Sequence, residues 1–251
     1  MKGKRSILWK FIFVVIIMSL FTVGCSTNRK VPAKSKQSAE NIPQNATHQN
    51  TIERIPDSLD DIQDYAEDII GDILEQDWAD VNEKLSLIEK EWGIYKPIAE
   101  EKKVSKKEID TFDKDLISLR STIEDKKPYE ASLAANKVYL NAVNFMDLYE
   151  AKVLTDLERM EYYGRQVVIT AKYDDWERAK KESELTIDTW NKIKKQYEDI
   201  NLNHARSLSD TLNQLLESTR IQDIKKVDTL YERMKDEIDL IESDFENNTN
   251  K

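Results

Sequence analysis

The chain has 251 residues, with 38 Lys plus Arg against 48 Asp plus Glu, but only 5 Gly, 5 Pro, 2 His and 1 Cys. That length admits one or two domains. High charge with few turn residues argues against a β-sandwich or barrel, and one Cys excludes an intrachain disulfide framework or a Cys-rich zinc module.

The charge divides unevenly. Residues 1–55 hold nine basic and two acidic side chains, so the remainder carries 29 basic and 46 acidic, a net of −17. Such a surface repels phosphate backbones, and no nucleic-acid partner is expected.

Met1–Arg5 is a positive segment, followed by the apolar run Phe11–Val23 and then Gly24-Cys25. The run is short for a membrane span and fits the apolar region of a signal peptide. Phe21-Thr22-Val23-Gly24-Cys25 resembles the lipobox of bacterial lipoproteins, with Thr22 where Leu is most frequent. The resemblance implies cleavage between Gly24 and Cys25 and a thioether-linked diacylglyceryl group on Cys25, with palmitate-type chains. An amide-linked acyl group is added in some bacteria. Two chains suffice for stable anchoring. The expected location is therefore the extracytoplasmic side of the cell membrane, with membrane lipid engaged through Cys25. The competing expectation is an uncleaved anchor helix.

Ser26–Ile55 is rich in Ser, Asn, Gln, Thr and Lys, without apolar periodicity, and is predicted to be a disordered stalk. From Ser58 the pattern is helical. Leu59, Ile62, Ala66, Ile69 and Ile73 recur at steps of three and four. So do Trp78, Val81, Leu85, Ile88, Trp92 and Tyr95; Ile109, Phe112, Leu116, Leu119 and Ile123; and Ala131, Ala135, Val138, Ala142, Phe145 and Tyr149. This spacing marks helices packed side by side at a shallow angle. Ser58 and Asp77 are candidate N-caps, Ser105 to Glu108 a capping box, and Pro128 a first-turn proline.

The four stripes recur. A shift of 98 gives Leu157, Met160, Gly164, Val167 and Ala171, then Trp176, Ala179, Ser183, Trp190 and Tyr197. A shift of 96 gives Ala205, Leu208, Leu212, Leu215 and Thr219, then Val227, Tyr231, Met234, Ile238, Ile241 and Phe245. Trp78 and Trp92 thus reappear as Trp176 and Trp190, and a two-residue difference falls near Pro97. The pattern predicts an all-α protein made of two tandem four-helix units, each an up-down bundle or part of a curved hairpin array. The expected organisation is a signal peptide 1–24, a lipidated Cys and linker 25–56, repeats 57–152 and 153–247, and a tail 248–251. Glu150–Asp156 is compatible with one long helix joining the units or with a new start at Thr155 or Asp156. The spaced Asp-Trp and second Trp resemble an uncharacterised family of small membrane-anchored helical proteins from Gram-positive bacteria; that resemblance implies no activity.

No catalytic constellation is assembled. His204 has Asn201 where a helical Glu-x-x-His metal pair needs an acid. No phosphate loop, serine elbow or His-Glu-x-x-His is present. Met146, Met160 and Met234 are expected in the core, and so are the four Trp, with an exposed sugar platform as the competitor. Asp60-Asp61 and Asp174-Asp175 lack a calcium loop and read as helix ends. No cofactor or metal is expected. The predicted role is a non-enzymatic, lipid-anchored helical module with an extracytoplasmic protein partner or an envelope role. The alternative is a lipoprotein that receives a ligand or metal between helices or between the units.

Overall fold

The structure, a computed structural model, describes residues 54–149 and 152–249. The expected signal peptide, Gly24, Cys25, nearly all of the linker and the end of the tail lie outside the described residues. The described segments belong to one compact unit, 50–251. Among the described residues there are eight helices and no strand. They are α1 (Asp57–Glu75), α2 (Trp78–Glu101), α3 (Lys106–Glu124), α4 (Pro128–Met146), α5 (Lys152–Lys172), α6 (Trp176–Glu198), α7 (Leu202–Arg220) and α8 (Ile224–Thr249). No helix among the described residues is long and apolar enough to cross a membrane.

Local chemistry sets most boundaries. Asp77 accepts hydrogen bonds from the Ala79 and Asp80 amides at 3.2 Å and starts α2. Ser105 and Glu108 form the reciprocal capping box of α3, and Pro128 opens α4. Asp175, Asn201 and Asp223 cap α6, α7 and α8 by accepting from the amides three residues on. Ser58 does not cap α1. That helix begins at Asp57 behind Pro56, and the Ser58 hydroxyl is buried inside the first turn without a hydrogen bond. Asp57 and Asp60 instead place negative charge at the positive end of the helix dipole.

The first and fourth helices of each set pack together, α1 on α4 and α5 on α8, alongside the sequential contacts. Each set therefore closes on itself as an up-down bundle; in an open hairpin array these pairs would be apart. The first core takes every residue of the first four stripes except Trp78, which is partly buried at its edge. The second core is built likewise, with Trp176 and Phe245 partly buried.

α4 and α5 are not one helix. α4 ends at Met146, a turn follows at 147–149, and the two run antiparallel along their length. Tyr129 reaches Asp175, Asn136 reaches Tyr162 and Asp147 reaches Thr155. This pair joins the bundles, and α5 lends Tyr162 and Ile169 to the first core.

The duplication extends to the turns. Gln76, Lys126, Asp174 and Gln222 each have positive φ, between 50° and 61°, in the four turns at one end. The shifts of 98 and 96 superpose Gln76 on Asp174 and Lys126 on Gln222. The two-residue difference appears as a 23-residue α6 against a 24-residue α2 and a correspondingly shorter turn after it.

Candidate functional site

α4 and α5 are buried on more than the stripe facing their own bundle. On α4, Ser132, Asn136, Tyr139, Val143 and Met146 form a second stripe of three-four spacing, all buried. On α5, Glu161, Tyr162, Arg165, Gln166, Ile169 and Thr170 are buried beyond the residues of the main stripe. The junction of the bundles is therefore polar and charged, and it is the densest collection of chemistry-bearing side chains in the described structure.

Arg165 is its centre, 3% exposed. Its Nη2 lies 2.8 Å from Glu67 Oε2 on α1 and 3.8 Å from Glu161 Oε2 one turn back. The closer contact is an ion pair by distance rather than a well-aligned hydrogen bond. Nη1 donates to Asn136 Oδ1 at 3.1 Å, and the Asn136 amide donates in turn to the Tyr162 carbonyl at 3.0 Å. The guanidinium also stacks over the Tyr139 ring, 4.2 Å from its centroid. Burial opposes the charge on Arg165, but Glu67 and the other negative groups around it outweigh that and hold its pKa well above the ordinary value.

Tyr139 extends the network. Its hydroxyl donates to Glu158, and Gln63 donates to both, at 2.9 Å to the hydroxyl and 2.5 Å to the carboxylate. Burial first, then the Glu158 and Glu161 charges, push this phenol well above its usual pKa, so it stays a neutral donor. Lys235 on α8 lies 3.9 Å from Glu67 and 5.0 Å from the Tyr231 ring centroid.

These contacts carry the repeat within them. Glu67 and Arg165 are equivalent under the shift of 98, and they pair with each other. Tyr139 and Lys235 are equivalent under the shift of 96. The stacking of Arg165 on Tyr139 is thus exchanged with the pairing of Glu67 and Lys235 when the copies are interchanged. Toward the α4–α5 turn, Arg159 binds Asp147, Asp156, Asn144 and Thr155, which fastens the hairpin at that end.

The arrangement can hold opposed charges and fix the helices in register. With Arg165 and Glu161 closed to solvent, it offers neither group to a solvent-borne reactant.

The sequence-marked residues are placed elsewhere. Trp92 and Trp190 are 5% and 1% exposed and anchor the two cores. Trp92 donates to Asp113 at 2.8 Å, and Trp190 to Ser209 at 2.7 Å. Asp113 and Ser209 are themselves equivalent under the shift of 96, so the bond persists with a hydroxyl replacing a carboxylate. Trp78 and Trp176, expected as equal core anchors, sit at the first position of their helices and are only partly buried. A side chain at N1 lies at the rim of a bundle, where the packing layers end.

His204 pairs with Asp244 at 2.6 Å between α7 and α8. Met146, Met160 and Met234 are buried in the cores. Asp175 is a cap and Asp174 occupies the preceding left-handed position. Among the described residues, no group of three His, Cys, Asp or Glu is placed to hold a metal ion. Compared with protein-family models, curated proteins and solved structures, the chain matches none.

Proposed function

We propose that the protein is a lipid-anchored, extracytoplasmic helical module with a non-enzymatic role, presenting acidic helix faces to a protein partner or to the envelope. The observation that carries the anchoring is the ordered series of basic segment, apolar run and Val23-Gly24-Cys25. The use of polar groups in the folded region supports the rest of the reading. Asp113, Arg159, Arg165, His204 and Glu237 each join one helix to another. Cys25→Ser should abolish acylation and leave unprocessed precursor, as read by acyl labelling and mass. Maturation at Gly24–Cys25 with retained acyl label would refute the anchor. A reproducible absence of any co-purifying protein from solubilised membranes, together with a measured turnover, would refute the interaction role.

A second reading, a ligand-receiving lipoprotein, has one specific support. An open groove of about 510 Å³ lies at the helix ends, lined by Trp78, Tyr173, Lys126, Lys172 and Pro128 among others. Partly buried aromatic rings beside two lysines offer apolar faces and positive charge together. Saturable quenching of tryptophan emission that disappears in Trp78→Phe would favour this reading over the first.

A further inference from the structure

Five turns break their helix with a left-handed residue, at Gln76, Lys103, Lys126, Asp174 and Gln222. The α4–α5 turn has none among its described residues. Asp147 is right-handed, at φ −54° and ψ −18°. The Leu148 and Tyr149 amides donate to the Phe145 and Met146 carbonyls at 3.1 and 2.9 Å, the short-range bonds of a helical turn. The winding of α4 thus carries on to Tyr149. The sequence across the turn, Asp147-Leu148-Tyr149-Glu150-Ala151, contains neither Gly nor Pro, and Leu, Glu and Ala are strong helix formers.

The apolar seam also crosses this turn in phase. Phe145, Tyr149, Val153, Leu157 and Met160 keep steps of three and four. In the four turns at the opposite end, the position of the same phase is polar, at Asp77, Lys127, Asp175 and Asp223, and it stands just before the next helix. The α4–α5 sequence therefore suits a hairpin and also one helix from Pro128 to Lys172, about 68 Å long.

The junction fits either form. Tyr129 with Asp175, Asn136 with Tyr162 and Asp147 with Thr155 hold α4 and α5 in one steady antiparallel register up to the turn. Two long helices side by side in that register, one from each of two chains, make the same contacts between chains. We propose that a second copy of this chain is a partner of the junction: the α4–α5 hairpin opens into one helix, and the second bundle of each chain docks on the first bundle of the other. Glu67 then meets Arg165 across chains, with Lys235 again beside Glu67. Each chain supplies one first and one second bundle, so two junctions close the pair and assembly stops at a dimer. Glu67 and Arg165 enforce that choice, since like bundles oppose like charges. Both forms share the junction contacts, so the connection and the chain concentration set their balance. The inference is independent of the anchoring proposed above.

The test uses the full chain, co-expressed in two differently tagged versions and purified in detergent. Arg165→Glu in one version and Glu67→Arg in the other leave each chain with like charges across its own junction. In the swapped dimer of the two, one junction carries neither substitution and the other carries both. Capture through one tag should bring down the other version about tenfold more in this mixture than when both versions carry the same substitution. Lys152→Pro falls at the first position of α5, where a proline is tolerated as Pro128 is in α4. Inside a continuous helix the same proline is disfavoured about a hundredfold. Added to both versions, it should reduce capture to background, while a chain carrying it alone keeps wild-type helical content and melting. The wild-type pair needs no charge reversal: its mixed-tag dimer, sized by light scattering, should grow with concentration and vanish with Lys152→Pro. Equal capture from like and unlike substitutions, capture that survives Lys152→Pro, or a wild-type chain that is monomeric at every concentration overturns the proposal.

Discussion

Replacing Arg165 with Met keeps much of the aliphatic volume and removes the charge at the centre of the junction. Glu161, a fully buried carboxyl group, would lose the guanidinium 3.8 Å away, and Asn136 Oδ1 would lose the donor at 3.1 Å. Breaking a buried ion pair from one side costs about 3–5 kcal/mol. The orphaned Asn136 oxygen adds about 1–3 kcal/mol on its own, but the two belong to one network and do not sum. Glu67 is more exposed than either and rehydrates at little cost. The expected loss is therefore about 4 kcal/mol, read as a lower urea midpoint with an unchanged slope.

The informative comparison is Arg165→Met with Glu161→Leu. Once both buried charges are gone, an apolar junction of similar volume is close to neutral relative to the ion pair. The double variant should recover about 2 kcal/mol or more of the loss. Circular dichroism reads the whole helical content, while single-tryptophan versions retaining Trp92 or Trp190 report on each bundle separately. A single variant within about 0.5 kcal/mol of wild type, the usual range of a surface change, would refute the reasoning. So would a double variant no more stable than Arg165→Met.

Trp92→Ala and Trp190→Ala should each cost about 3–5 kcal/mol, whereas Trp78→Ala and Trp176→Ala should cost about 1–2 kcal/mol for partial burial; equal costs in thermal melts would contradict the rim placement. Gly164→Ala puts a methyl group on the Met234 side chain and 3.2 Å from Tyr231, so overpacking of about 1–3 kcal/mol offsets the helix-propensity gain of about 1 kcal/mol. Adding Met234→Val, which recreates the Ala66 and Val138 of the first copy, should relieve that strain, and additive denaturation energies would disprove the coupling. Burial raises the Asp113 pKa, but hydrogen bonds from Lys96 and Trp92 and the Lys96 charge win and hold it below the ordinary 3.8. Its stabilising contribution is complete above pH 3.8 and is lost as pH falls through the lowered folded value. A single-tryptophan version reporting on Trp92 should therefore lose more stability in that acid range than the Asp113→Asn version of the same protein, and identical acid profiles would remove the carboxylate from the account.

The bundle interiors were legible in the sequence because each stripe has one period and one destination. The caps at Asp77, Ser105 and Pro128 were legible because each satisfies an orphan amide or dispenses with one. Ser58 misled because an oxygen before a stripe has the same sequence signature whether it caps the helix or enters its first turn. The junction was the least legible part. Its second stripes contain Ser132, Asn136, Glu161, Arg165, Gln166 and Thr170, residue types that ordinarily mark a solvated face. A signal was nevertheless present in Tyr139, Val143 and Met146 on α4, and in Val167-Val168-Ile169 on α5. These spread apolar character around the helix, which marks burial on more than one side.

The chemistry of that junction follows from the duplication. If two identical copies met about the same axis, the residue at the Glu67 and Arg165 position would face itself. Two first copies would oppose Glu67 to Glu67, and two second copies would oppose Arg165 to Arg165, in either case placing like charges in a region largely removed from water. One of each is the combination that pairs, and Lys235 beside Glu67 and Tyr139 beneath Arg165 extend the same complementarity to the exchanged contact. Divergence at two equivalent positions thereby converts a self-complementary interface into one that accepts only the other copy. The charges need not raise stability to be informative, since an apolar junction would serve that end as well. What they supply is a penalty against like bundles joining, so that a first bundle pairs with a second.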